Sequence, residues 1–320
     1  GDVLHLIIGG GTPSKSKSEY WNGDIFWCSV KDMEDDKHYL SYTKDTITKK
    51  GLENSSANLI KAGTVITSTR MGLGRAFINK VDMAINQDLK ALIPNERIDN
   101  RFLLWTIVSK RSELNMLGRG STVKGITLDI LKSIEIALPP LIVQRRIADI
   151  LSAYDDLIEN NQKQIKLLEE AAMRLYKEWF VNLRFPGYEN TKIVDGVPEG
   201  WRLGRVSELA EFKRGKTITK KNAKDGNVPV VAGGLEPAYF HNVANTVAPV
   251  ITISASGANA GYTRLYNTDI WASDCSYIDA SYGDKLYFIY TFLKNNKEVI
   301  DNLQRGAAQP HVYAKDINAL

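Results

Sequence analysis

The sequence predicts an α+β fold in which two similar modules are joined by one long helix of coiled-coil type. Three observations predict it. The chain repeats itself at a nearly constant separation. Between the copies, an apolar seam alternates spacings of four and three from Ile147 to Trp179 without a break. Within each copy, short β-branched runs such as 64–69 and 250–254 alternate with a few helical stretches. The 320 residues, 43% hydrophobic and 24% charged, suffice for two domains with cores of their own.

The repeat comes first. Val65-Ile66-Thr67 recurs as Val250-Ile251-Thr252, 185 residues on (250 − 65). Both runs lead into turns containing Gly and Ser or Thr, Ser68 to Gly72 and Ser254 to Gly257. Leu117-Gly118-Arg119-Gly120 recurs as Leu303-Gln304-Arg305-Gly306, 186 on (303 − 117). Each follows one amphipathic helical stretch, 101–114 and 285–300, and each precedes an Asp-Ile pair, Asp129-Ile130 and Asp316-Ile317. At the start, Gly1-Asp2-Val3 resembles Gly204-Arg205-Val206, 203 on (206 − 3). The fall from 203 to 185 places extra residues in the first copy, around 13–45. A shared scaffold with different loops suits a duplicated binding module whose copies take different targets. A duplication kept for stability alone is the other reading. The first copy runs through Pro139-Pro140 into a helix, whereas Leu320 stands where the second copy's own Pro-Pro would begin. The chain therefore reads as a fragment, or as part of a system whose second helix is supplied elsewhere.

The helix is expected over 144–182. Its seam is Ile147, Leu151, Tyr154, Ile158, Asn161, Ile165, Leu168, Ala172, Leu175 and Trp179, flanked by charged residues. Pro139 and Pro140 bar an earlier start, and Pro186-Gly187 ends it. About 38 residues at 1.5 Å each span roughly 57 Å. Asn161 on the seam either sets register and partner number or is a surface residue of a slightly rotated helix. A seam of this kind must be covered, so it is expected to be an assembly surface for another chain, self-association included.

The net charge is +4 and the pI about 8.8, which permits nucleic-acid binding without demanding it. Two cysteines, Cys28 and Cys275, build neither a disulfide framework nor a zinc cluster and suit a reducing cytoplasm. No apolar run is long enough to span a bilayer, so no membrane association is expected. His5, His38, His241 and His311 have no ligand spacing, and there is no Walker loop, HExxH or CxxC. The amino-methyltransferase signature, Asp or Asn followed by Pro-Pro-Tyr, is missing. Asp32 to Asp36 reads as a solvated acidic loop rather than a metal site. No catalytic or metal residue is assigned, and the chain is expected not to be an enzyme.

Four segments carry a family resemblance. GGTPSKSKSEYWNGDIFW (10–27), GRGSTVKGI (118–126), LPPLIVQRRIADI (138–150) and GVPEGWRLGRVSEL (196–209) occur in the order found in the specificity subunits of Type I restriction-modification systems, which the chain resembles. The resemblance implies a first target-recognition domain over 1–140, a central helix over 141–185 and a second recognition domain over 186–320. Each domain would read one half of a bipartite site in double-stranded DNA. The helix would act as a ruler for the unread gap and dock two methyltransferase subunits, which restriction subunits join. S-adenosylmethionine would sit on those partners, with no cofactor on this chain. One departure is that the family's second central helix is not in this sequence. The ruler has independent physical sense, because half-sites one DNA turn apart lie about 34–36 Å from each other.

DNA contacts call for Arg, Lys, Asn, Gln and hydroxyl side chains. The first module offers Thr12, Ser14, Lys15 and Lys17 in one loop, then Thr69, Arg70 and Arg75 beside Gly72 and Gly74, then Arg119, Ser121 and Lys124. The second offers Lys213, Arg214 and Lys216, then Ser254, Ser256 and Asn259, then Arg305, Gln309 and His311. Any one of these residues alone reads as a solvated surface group. Three clusters at matched places in both copies do not. The tryptophans are expected in the cores, with the pair Tyr20-Trp21 bordering the basic loop as the candidate for base stacking. The rival readings are a tandem-domain nuclease or glycan-processing enzyme, and a tandem carbohydrate-binding module. The first calls for paired carboxylates at matched positions, which are absent. DNA binding that weakens steeply with salt separates all three.

Overall fold

The computed structural model describes residues 1–120, 123–306 and 309–320. The chain forms two compact units, Gly1–Lys163 and Gln164–Leu320.

The first unit begins with β1 (Leu4–Gly9), β2 (Trp21–Cys28), β3 (Tyr39–Leu40), β4 (Asp45–Ile47), α1 (Lys49–Glu53) and β5 (Asn58–Ile60). It continues with β6 (Val65–Ser68), β7 (Ala76–Asn79), β8 (Met83–Ile85), β9 (Leu89–Pro94), α2 (Asn100–Ser109), α3 (Arg111–Leu117) and α4 (Leu128–Ser133). One sheet has the order β1-β9-β6-β7-β3 and the other β4-β2-β8-β5. Successive residues of a strand point to opposite faces, and the larger sheet buries both. Val65, Ile78 and Leu92 join Phe102, Leu104 and Ile107 of α2, while Ile66, Phe77 and Ala91 join Cys28, Ile60 and Ile85 of the smaller sheet. This is why β6 reads as an unbroken β-branched run rather than an alternating one.

The long helix α5 (Leu141–Tyr176) follows, extended by a π-helical turn at Lys177–Val181. Pro140 accepts the amides of Val143 and Gln144, so the helix begins three residues earlier than expected. It stops before Pro186 is reached, at Leu183, whose φ of +57° lies in the left-handed region. Its first half belongs to the first unit and its second half to the second. The face buried on the first unit is small and polar: Gln144, Ala148 and Ser152. Gln144 bonds to Arg97, Asp99 and Pro139, and Asp149 pairs with Arg101 at 2.8 Å. Ser152 lies between the Tyr39 hydroxyl and the Trp105 indole, Asp155 meets His38 at 2.9 Å, and Gln162 reaches Asp36. The seam lies on another face and is open to solvent: Tyr154 is 64% and Leu168 70% exposed, and Asn161 is exposed with them.

The second unit adds β10 (Ile193–Val194), β11 (Val197–Pro198), α6 (Val206–Leu209), β12 (Lys213–Arg214), β13 (Val228–Val231), β14 (Tyr239–His241) and β15 (Val250–Ser254). These are followed by β16 (Thr263–Tyr266), β17 (Trp271–Ala272), β18 (Cys275–Ile278), α7 (Lys285–Asn295), α8 (Lys297–Asp301) and α9 (Ala314–Asn318). Its sheets are β12-β18-β15-β16 and β14-β13-β17, with a β10-β11 ribbon apart. Ile251 and Ile253 face Leu286, Ile289 and Leu293 of α7, repeating the layering of the first unit. At the end of α5, Tyr176 and Phe180 pack on Phe288, and Phe185 stacks on Trp201 at 4.9 Å.

Pairing shows how the copies correspond. Val65 opposes Leu92 as Ile251 opposes Ile278, both 186 residues apart (251 − 65, 278 − 92). The matching letters VIT, 185 apart, are therefore one residue out of register, and a one-residue slip exchanges the two faces of a strand. The Asp-Ile pairs slip in the same way: Leu131 and Ile317 are the buried equivalents, 186 apart (317 − 131). Each stretch expected as one helix is two, broken at Lys110 and at Asn296, again 186 apart (296 − 110). The separation is 203 at Trp27 and Val230, 194 at Asp45 and Tyr239, and 186 at Val65 and Ile251. The extra residues of the first copy thus lie between Cys28 and Val65, extending past the expected 13–45 segment, and they supply β3, α1 and β5.

Candidate nucleic-acid interface

In the first module the basic loop is braced from below. The Gly11 amide donates to the Ile85 carbonyl (3.0 Å), the Trp27 indole to Gly11 (2.9 Å) and the Trp21 indole to Ser14 (3.1 Å). A Cβ on Gly10 would lie 1.9 Å from the Ile85 oxygen, so glycine permits this approach. Tyr20 is buried and Trp21 stands edge-on to Trp27, so the pair supports the loop instead of offering a stacking face. Lys17 donates to the Tyr20 hydroxyl, which raises its pKa above the ordinary lysine value. Ser14 meets Ser16 at 2.8 Å, and Lys15 is exposed.

Thr12 donates to Gln87, and the next residue, Asp88, accepts both the amide and the hydroxyl of Thr69 through its carbonyl. Thr69 in turn accepts the Ile126 amide, Met71 donates to Lys124, and Arg119 and Gly125 exchange both backbone bonds at 2.9 Å. The three sequence clusters thus meet at one end of the larger sheet. Arg70, Arg119 and Lys124 project from this knot as exposed cations with no carboxylate partner among the described residues. Two other candidates are spent within the fold. Thr69 is buried with its hydroxyl satisfied. Arg75 pairs with Asp35 at 2.5 Å and donates to the Met33 carbonyl. Ser121, like its neighbour Thr122, lies outside the described residues.

The acid-rich stretch beside Arg75 is solvent-exposed at Glu34, Asp35 and Asp36 and buried at Asp32, and its carboxylates have partners within the fold. Asp32 accepts from the Ser29 amide and hydroxyl and from the Lys44 amide. Asp35 accepts from Arg111 and faces Arg75, which together hold its carboxyl below the usual range. Among the described residues no group of His, Cys, Asp and Glu is placed to hold a metal ion.

The second module builds the same knot. Ala255 donates to Asp274 and accepts from Val312, Gly257 donates to Pro310, and Arg305 and His311 exchange both backbone bonds. Every one of these positions is 186 beyond its counterpart. The side chains differ. Ser256 donates to the Asp274 carboxylate, toward which Arg214 reaches at 3.9 Å, and Arg305 pairs with Asp316 at 2.9 Å. His311 stacks on Tyr313, while Lys213, Lys216 and Gln309 are exposed. Ser254 is buried and donates to the Gly233 carbonyl, and Asn259 is half-buried. Side-chain type does not mark Asp88 and Asp274, which tie the clusters together. Their spacing of 186 is the signal that marks them.

A family model described as the Type I restriction modification DNA specificity domain matches residues 1–170 and 198–320. The MjaIX specificity subunit of Methanocaldococcus jannaschii is 30% identical over 236 residues, covering 70% of this chain and 54% of its own length. A Type I restriction enzyme specificity subunit of Escherichia coli is 34% identical over 185 residues, covering 55% of this chain and 45% of its own. The chain thus spans about half the length of these curated relatives. The crystal structure of a Type I restriction-modification S subunit from Mycoplasma genitalium shares the fold, with a TM-score of 0.55 over 99% of this chain and 81% of that one at 17% identity. Among the described residues no helix is long and apolar enough to cross a membrane. With two modules built on one backbone knot and a family match over each, the chain belongs to the Type I restriction modification DNA specificity family.

Proposed function

We propose that this chain is the DNA-reading, non-catalytic part of a Type I restriction-modification complex, each module reading one half of a bipartite duplex site. The observation that carries this reading is the shared knot. A frame repeated bond for bond at one spacing presents cations in the first module and hydroxyl, imidazole and amide groups in the second. One frame with two surfaces suits two different half-sites. Arg70, Arg119 and Lys124 would engage phosphates and base edges, while Gln309 and His311 supply donors and acceptors for reading bases and Ser256, whose proton goes to Asp274, supplies an acceptor alone. The 36 residues of α5, about 54 Å long, would separate the half-sites, and its exposed apolar seam would dock the methyltransferase subunits. S-adenosylmethionine and the methyl-transfer chemistry then belong to those partners.

The test is selection from random duplexes by this chain in complex with its methyltransferase. Two short motifs at a fixed unread separation are expected. Enrichment of a single continuous motif, or of none, would overturn the reading. Within the selected site, Arg119→Ala should weaken binding about tenfold and reduce the slope of log K against log salt by about 0.9, the weight of one phosphate contact.

A further inference from the structure

We infer that Met71 is an apolar reading residue of the first module, placed to press on the methyl edge of a thymine. This rests on the proposed reading of duplex DNA. Met71 sits at the tip of the knot with φ at +59°, in the left-handed region that methionine adopts only under strain. Its counterpart 186 residues on is Gly257, with φ at +82°. Both amides make the same bond, Met71 to the Lys124 carbonyl and Gly257 to the Pro310 carbonyl. The frame therefore requires a left-handed residue here. The second module meets that requirement with glycine, which adopts it without strain.

In the first module the position carries a long apolar side chain that is 53% exposed. Met71 is absent from the buried clusters that make up the module's core. It stands among the exposed cations Arg70, Arg119 and Lys124, which would bring a phosphate backbone to this surface. A base edge in the major groove offers one apolar feature, the 5-methyl group of thymine. The flexible, polarizable thioether suits contact with it.

Substitution by glycine is the informative change, because the second module shows that the frame accepts glycine. Using the full chain with its methyltransferase and the site it selects, each thymine of the first half-site is replaced in turn by uracil, which lacks only the methyl group. The wild-type chain is expected to lose about fourfold in affinity at one of these positions, the weight of one methyl-sized group removed from water. Met71→Gly is expected to bind both duplexes equally, to retain its responses in the second half-site, and to melt no lower than wild type. Persistence of the fourfold difference in Met71→Gly, or no uracil effect in the wild-type first half-site, would overturn the inference alone. Selection of no bipartite site would overturn the proposed function and this inference with it.

Discussion

Gln144 gives the sharpest test of how the long helix is held. It lies in the first turn of α5, 1% exposed. Its amide nitrogen donates to the carbonyls of Arg97 (3.0 Å) and Pro139 (2.8 Å), and its oxygen accepts the Asp99 amide (2.8 Å). Gln144→Ala removes three bonds at once. At a net value of about 1 kcal/mol each, the loss is about 3 kcal/mol. For a unit of this size 1 kcal/mol corresponds to roughly 2–4 °C, so the first unit should melt about 6–12 °C lower. Gln144→Glu keeps the volume and the acceptor for Asp99 but turns both donors into acceptors facing carbonyls. It should cost at least as much as alanine at neutral pH. Burial and the two carbonyls would raise its carboxyl above the ordinary value of about 4.3. The deficit should therefore shrink as pH falls through that raised value and the carboxyl becomes a donor. Thermal melting, with hydrogen exchange at the Asp99 amide as the local probe, reads both effects. Variants that both melt within about 2 °C of wild type would refute the claim that polar contacts hold this helix face.

Three further outcomes are expected. A double-mutant cycle on His38→Ala and Asp155→Ala should give a coupling of about 1.5 kcal/mol in urea denaturation, and His38→Asn, which keeps a donor near the Nδ1 position, should recover part of it. Asp35 has its pKa lowered in the fold, so its contribution to stability is full above the unfolded value of 3.8 and is lost as pH falls through the folded value. Acid-unfolding curves of Asp35→Asn and wild type should accordingly converge below pH 3.8 and stand apart above it. Burial pushes the Cys275 thiol up to about 12 and that of Cys28 higher still. Neither should react with a thiol reagent at pH 8 until the chain unfolds, and rapid labelling of the native protein would contradict their burial.

Much of this architecture is legible in the residues, because duplication and helical periodicity are both written in one dimension. Leu117-Gly118-Arg119-Gly120 and its counterpart align at the true spacing because glycine and arginine mark the knot itself. The VIT runs misalign because a fully buried strand accepts Val and Ile on either face, so matching letters carry no information about register. The break at Lys110 and Asn296 left no mark, since neither residue breaks a helix by composition. The helix seam was plain, but the docked face was not. Gln144, Ser152 and Asp155 resemble ordinary solvated positions, and only their partners Asp99, Trp105 and His38, far away in sequence, take the first two out of solvent and half-bury the third. For the same reason the sequence offers Thr69, Ser254 and Arg75 as free for DNA and gives Asp88 and Asp274 no distinguishing side-chain pattern.

The contacts along α5 also say where its length can change. Gln162 is the last helix residue with a polar contact to the first unit, through Asp36, and Glu169 the first with one to the second, through Tyr290. Among the described residues, those from Lys163 to Leu168 make no hydrogen bond or ion pair with either unit, and all six are exposed. One inserted residue advances a helix by 1.5 Å and turns it by about 100°. Placed between Gln144 and Gln162, it would pull at least one of Ser152, Asp155 and Gln162 off its partner. Placed among these six, it would disturb neither set of contacts. Insertions and deletions that leave both modules intact should therefore collect in this short stretch, as slack is taken up at a splice rather than along the rope.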